Sequence, residues 1–157
     1  MSEITKFRIA KEGISSLLIA AAGAQTAAVS TSVNVNRQLS DVSALVEHSD
    51  LTGDYAQKAE FLGRITTSAI TAAGAQYAAV PISVVINYAD NAVSSSLVNS
   101  LLNAEGKAAS VGAKRTSELS SLKVTAGGAM YVAVADLVNV NTVEGSTSSE
   151  VNSSEVK

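Results

Sequence analysis

His48 is the only histidine among the 157 residues, and it stands between Glu47 and the pair Ser49 and Asp50. These are the residue types of a base, a nucleophile and an orienting acid. A catalytic triad is a matter of geometry, however, and consecutive residues on a strand or turn point in different directions. His48 is therefore expected to be a solvated loop residue. A zinc-type centre needs more nitrogen or sulfur ligands than one histidine beside Glu47 and Asp50 supplies. Asp50 and Asp54, in Asp-Leu-Thr-Gly-Asp, have the composition of part of a calcium-binding turn. The full nonapeptide calcium repeat is missing, so the two aspartates read as turn residues. Gly127-Gly128 lacks the spacing of a dinucleotide or Walker loop. Tyr77 and Tyr131 suit either an exposed aromatic stripe for carbohydrate or protein contact or a stacked packing pair, and the packing pair is expected. Asp136 should face outward or lie at a coil edge. No catalytic, cofactor-binding or metal-binding residue is assigned: the chain reads as non-enzymatic and without a cofactor.

The composition limits the elements that can carry these residues. Aromatics make up 4% and charged residues 16%, with no Trp and no Cys. The 46% hydrophobic share is mostly Ala and Val, and small side chains fill only a narrow interior at native packing density. A stacked or layered architecture follows. The net charge of −3 leaves no basic patch to release counterions from a nucleic acid, so no nucleic-acid partner is expected. With no cysteine, disulfides, thiolate metal sites and a thiol nucleophile are excluded.

Internal self-similarity is the strongest signal. Residues 14–36 and 65–87, offset by 51, are identical at 13 of 23 positions. Gly23-Ala24-Gln25 recurs as Gly74-Ala75-Gln76. A third copy, offset by a further 54, runs from Gly128-Ala129-Met130-Tyr131 to Asn141. Asn36, Asn87 and Asn141 close the three copies. The repeat of about 50 residues fills residues 1–143. Residues 144–157, rich in Ser and Glu, have too little apolar surface to fold alone and read as a tail or linker.

Val33 and Val35 alternate with Asn34 and Asn36, as Val138 and Val140 do with Asn139 and Asn141. Period-two alternation predicts strands, with the Val and Ile pairs on one face. Asn at the close of each run suits a turn, and three stacked copies would also form a partial Asn ladder. A helix over residues 103–122 is the main competitor, since Ala-rich segments have fair helix propensity. Residues 14–36 and 65–88 are uncharged and long enough to cross a bilayer. Their Ser, Thr, Gln and Asn content and scarcity of Leu and Phe make them poor spans, so no membrane span is expected.

A 50-residue repeat of short strands cannot bury its own face and must stack on its neighbours. The predicted fold is therefore all-β: a right-handed parallel β-solenoid of about three repeats. Its interior is expected to hold Ala, Val, Ile and Gly, and its outer face Ser, Thr, Asn and Lys. With two to three coils per repeat, the rod would be about 30 Å long. Phe7-Arg8-Ile9 is a candidate cover for one end and the tail for the other. If neither covers its end, the chain is cut from a longer rod or stacks end to end.

Residues 72–97, AAGAQYAAVPISVVINYADNAVSSSL, and Ser32-Val33-Asn34-Val35-Asn36 resemble the repeat unit of large secreted adhesins. In the filamentous-haemagglutinin and leukotoxin-like filamentous adhesin families, Gly/Ala-rich runs lead into Ser-Val-x-Val-Asn, an Asn-containing turn and another short strand. The resemblance covers roughly residues 4–143. It implies a right-handed β-helix, an extracellular or cell-surface location, and export through an outer-membrane partner or an autotransporter route. The chain departs from the family in its lower Gly content. Met1 to Lys6 lacks the layout of a signal peptide, so a secreted chain is expected to be an excised stalk fragment or to use another export route. The expected function is the stalk of a surface adhesin, with a self-assembling filament protomer as the alternative. The expected partners are neighbouring repeats, further copies of the chain, and a host-surface protein or glycan.

Overall fold

The computed structural model describes residues 3–104 and 106–157. Burial alternates with period two over residues 14–23, 27–47, 54–75, 78–98 and 113–126, and the chain is all-β, with no helix among the described residues. The first coil holds β1 (Glu3–Ala24), β2 (Ala27–Glu47) and β3 (Asp50–Thr52); the second holds β4 (Asp54–Ala75), β5 (Ala78–Val98) and β6 (Leu101–Asn103). In the third, β7 (Ala109–Gly128) is followed by β8 (Val132–Ala133), β9 (Asp136–Glu144), β10 (Thr147–Asn152) and β11 (Glu155–Val156).

Strands pair in parallel only with the equivalent strand of the next coil. β1, β4 and β7 form one sheet; β5, flanked by β2 and by β8 to β10, forms the second; β3, β6 and β11 form a short third. The register reproduces the offsets read in the sequence: Ile14 lies on Ile65 and Ile65 on Leu119, while Asn36 lies on Asn87 and Asn87 on Asn141. The fold is thus a parallel β-solenoid of three repeats.

Each repeat is a single coil, not two or three. Strands of 22 and 21 residues span about 70 Å, while three coils stack to only about 14 Å. The molecule is a broad slab rather than a 30 Å rod. Ala24 and Ala27 are separated by only two residues, so the chain doubles back sharply and lays the two long sheets against each other. Small inward side chains let them approach. Val42, Ala44, Ala59, Phe61 and Val93 form one apolar cluster, Ala28, Ala73 and Ala79 a second, and Tyr55, Leu97 and Leu102 a third.

Several expectations need correcting. Val33 and Val35, 59% and 63% exposed, point outward, and the asparagines between and after them point inward. Asn36 and Asn87 are mid-strand and buried rather than in turns. Alternation alone says which residues share a face, not which face is inside. Residues 144–157 are not a tail for most of their length: Thr147 to Asn152 pair with β5, and Glu155 and Val156 with β6. Polar residues suffice there because the second coil supplies the sheet. Residues 109–122 lie in β7 rather than in a helix. Phe7 and Ile9 point outward and are exposed, so they cover no end.

Two residues explain why the third coil is broken where its neighbours are continuous. Pro81 is level with the gap between β8 and β9 and has no N–H to offer a ladder. Gly145, with φ of 123°, separates β9 from β10, and a Cβ there would strike the Asn91 backbone.

Candidate functional site

His48 marks a corner of the coil. It takes φ of 50°, and its equivalents Asn99 and Ser153 take 47° and 48°. The left-handed region admits Asn and His more readily than most residues. A serine follows each of them. Ser49, Ser100 and Ser154 each donate their hydroxyl to the carbonyl two residues back, at 3.0, 2.8 and 3.0 Å. The Ser49 and Ser100 amides donate to the serine hydroxyl of the next coil, at 3.1 and 3.0 Å. Ser49 is thus a corner clamp, with its proton directed to the Glu47 carbonyl. His48 Nδ1 lies 3.6 Å from Glu47 Oε1 at the surface. Asp54 accepts the Ala108 amide at 3.2 Å. No group of three or more His, Cys, Asp or Glu side chains suited to a metal forms among the described residues.

Asp136 faces outward, as expected, and its carboxylate accepts the Leu137 amide at 2.8 Å. Tyr77 and Tyr131 stack, with ring centroids 5.4 Å apart and planes 7° from parallel. They sit on one another at the bend between the two long sheets, both exposed.

Two constellations draw together residues that are distant in sequence. The first is an interior polar ladder. Asn36 donates to Asn87 at 2.8 Å, and Asn87 to Asn141 at 2.9 Å. Thr67, from the opposite sheet, accepts from Asn36 and donates to Asn87, both at 2.8 Å, and Asn87 also donates to Ser121 at 2.8 Å. Beside it, Ser32 contacts Thr71 at 2.5 Å and donates to Ser83 at 3.1 Å. Buried amides and hydroxyls are tolerated here because they bond one another. The ladder was anticipated in part; its direct coil-to-coil contacts follow from having one coil per repeat.

The second constellation lies on the outer face. Tyr88 donates its hydroxyl to Glu144 at 2.9 Å and lies 3.5 Å from Asp90, while the Arg37 guanidinium sits 5.5 Å from its ring centre. The bond to Glu144, with burial and both carboxylates adding, pushes the Tyr88 phenol above its ordinary value. As Glu3 and Asp54 do, Asp90 and Glu144 occupy matching positions in successive coils. Only the register joins them. They lie open on a sheet face, bound to Tyr88, and the arrangement can present charge and an aromatic edge.

Two glutamates bind the second coil to the third. Glu60 meets Lys58 at 2.7 Å and Lys114 at 3.5 Å, and Glu118 meets Arg64 through two bonds of 2.9 and 3.0 Å. These partners, led by the hydrogen bonds from Lys58 and Arg64, hold both carboxyls below their ordinary value.

The segments long enough to cross a bilayer form β1, β2, β4 and β5, and no helix among the described residues is long and apolar enough to span a membrane. No protein-family model, curated protein or solved structure matches this chain.

Proposed function

We propose that the chain is a non-enzymatic structural segment, part of the stalk of a secreted bacterial surface adhesin. The observation that carries this reading is the stacking of whole coils in register, with long strands bonded in parallel through all three repeats. The resemblance of residues 32–36 and 72–97 to adhesin repeats gives it a biological setting. In that role the segment would act as a spacer. Its cross-coil ladders keep the sheets rigid, and contact with a host protein or glycan would belong to a distal region.

Protease shaving of intact producing cells, followed by blotting with an antibody to the purified chain, tests the location. Loss of the signal on shaving is expected. Signal confined to the soluble interior and untouched by protease would overturn the proposal. Turnover of a polysaccharide by the purified chain would replace it with an enzymatic reading centred on Asp90 and Glu144.

A further inference from the structure

The three coils differ in what they point inward. The inward positions of β4 and β5, the odd numbers from Tyr55 to Ala75 and from Ala79 to Leu97, hold no charged residue. In the first coil, the equivalent positions hold Lys6, Arg8 and Glu12, level with Gln57, Ala59 and Gly63. In the third they hold Arg115 and Lys123, level with Phe61 and Ala69. Most of these side chains reach across the open mouth to the opposite sheet. Lys6 donates to the Leu45 carbonyl, Ser40 to the Glu12 carboxylate, Arg115 to the Glu144 carbonyl and Lys123 to the Val138 carbonyl. Removal from water holds the Lys123 ammonium below its ordinary value.

In other respects the two ends match each other. By register, residue i of the first coil and residue i + 105 of the third share a column. Leu17 and Leu122, Gly23 and Gly128, Val29 and Val134, Val33 and Val138, and Val35 and Val140 are identical pairs. So are Asn34 and Asn139, and Asn36 and Asn141. The Asn ladder has a direction: each amide donates to the next coil's carbonyl. It therefore ends with the Asn141 amide at one mouth and the Asn36 carbonyl at the other. Leu137, Val143 and Val151 point inward in the third coil, yet remain about half exposed.

We propose that the two open ends form a latent head-to-tail interface for a second copy of this chain, held shut by the inward charges of Lys6, Arg8, Glu12, Arg115 and Lys123. Stacking would place Asn141 on Asn36 of the next copy and extend every column. It would also seal four cations and one anion between two sheets. Burying unpaired charge costs far more than an added amide ladder step returns. Inward-pointing charge is a known protection for open strand edges. The inference rests on the solenoid geometry and is independent of the adhesin reading.

The test replaces the five residues with those of the middle coil in the same columns: Lys6→Gln, Arg8→Ala, Glu12→Gly, Arg115→Phe and Lys123→Ala. Sedimentation velocity and negative-stain microscopy follow assembly over a concentration series. Wild-type protein should stay monomeric, while the variant should grow into uniform filaments with a cross-strand reflection near 4.8 Å. Wild-type filaments would overturn the gate. A variant that is β-rich by circular dichroism yet monomeric would overturn the interface. If the five-fold variant fails to fold, two partial variants are mixed, one opened at the first coil and one at the third. A one-to-one dimer is expected, and its absence from a folded mixture would sink the proposal. Location at the cell surface is decided separately by protease shaving.

Discussion

Asn87 accepts from Asn36 and Thr67 and donates to Ser121 and Asn141, so one buried side chain ties the three coils and both long sheets. Asn87→Ala removes four hydrogen bonds at the centre of the ladder, leaving only the Asn36–Thr67 and Ser121–Asn141 contacts, and should cost about 2–4 kcal/mol, read from urea unfolding midpoints. Asn141→Ala, at the exposed end of the ladder, should cost about 1 kcal/mol; equal losses would contradict a ladder anchored at its centre. At the corner, His48→Asn should leave stability unchanged. His48→Val, a branched residue forced to positive φ, should lose about 1 kcal/mol or more in the same assay. The sequence announced that Asn36, Asn87 and Asn141 share a column. It did not reveal that they point inward, because Val-Asn alternation fits either face and hydropathy alone favours the wrong one. The corner was missed for another reason. His48-Ser49, Asn99-Ser100 and Ser153-Ser154 share one backbone shape but only the serine in identity, so similarity scoring passes over them.

Strand extents were harder to read than strand existence. The segments 33–36 and 138–141 show clear alternation, whereas the Ala-rich ends of β1 and β4 carry none and gain strand form from the ladder beside them. Residues 144–157 follow the same logic, since β10 and β11 borrow a template from β5 and β6. Pairing of β4 with β7 also has an electrostatic component. Glu60 and Glu118 titrate below their ordinary value of 4.5. The folded state therefore binds fewer protons than the unfolded state in that range, and the contribution is present above pH 4.5 and lost as pH falls through the lowered values. Thermal melts should show the midpoint dropping on acidification below about pH 4.5, with a shallower drop in Glu60→Gln/Glu118→Gln. Parallel curves for variant and wild type would remove these ion pairs from the acid limb.

At the scale of the molecule, the offsets of 51 and 54 gave the number of repeats, but not how many times each repeat winds. That depends on where the chain bends, and the bend at Gln25-Thr26 has no Pro or Gly within it. Composition pointed correctly to a thin interior. The wide, shallow slab follows from filling that interior with two strands of about 21 residues per coil rather than several short ones.

The short stacking direction has a mechanical consequence. Glu3 lies over Asp54 at one narrow edge of the slab, and Val156 lies on Leu102 at that same edge. A tether joining the two termini therefore pulls nearly parallel to the inter-coil hydrogen bonds and loads them one at a time, as in opening a zip. Traction along the strands would instead load a whole row together in shear. Stretched from its ends in a force spectrometer, the protein should yield in small, regular events, each releasing a coil of about 50 residues, or roughly 170 Å of chain. One tall rupture would mean that the coils resist as a single body.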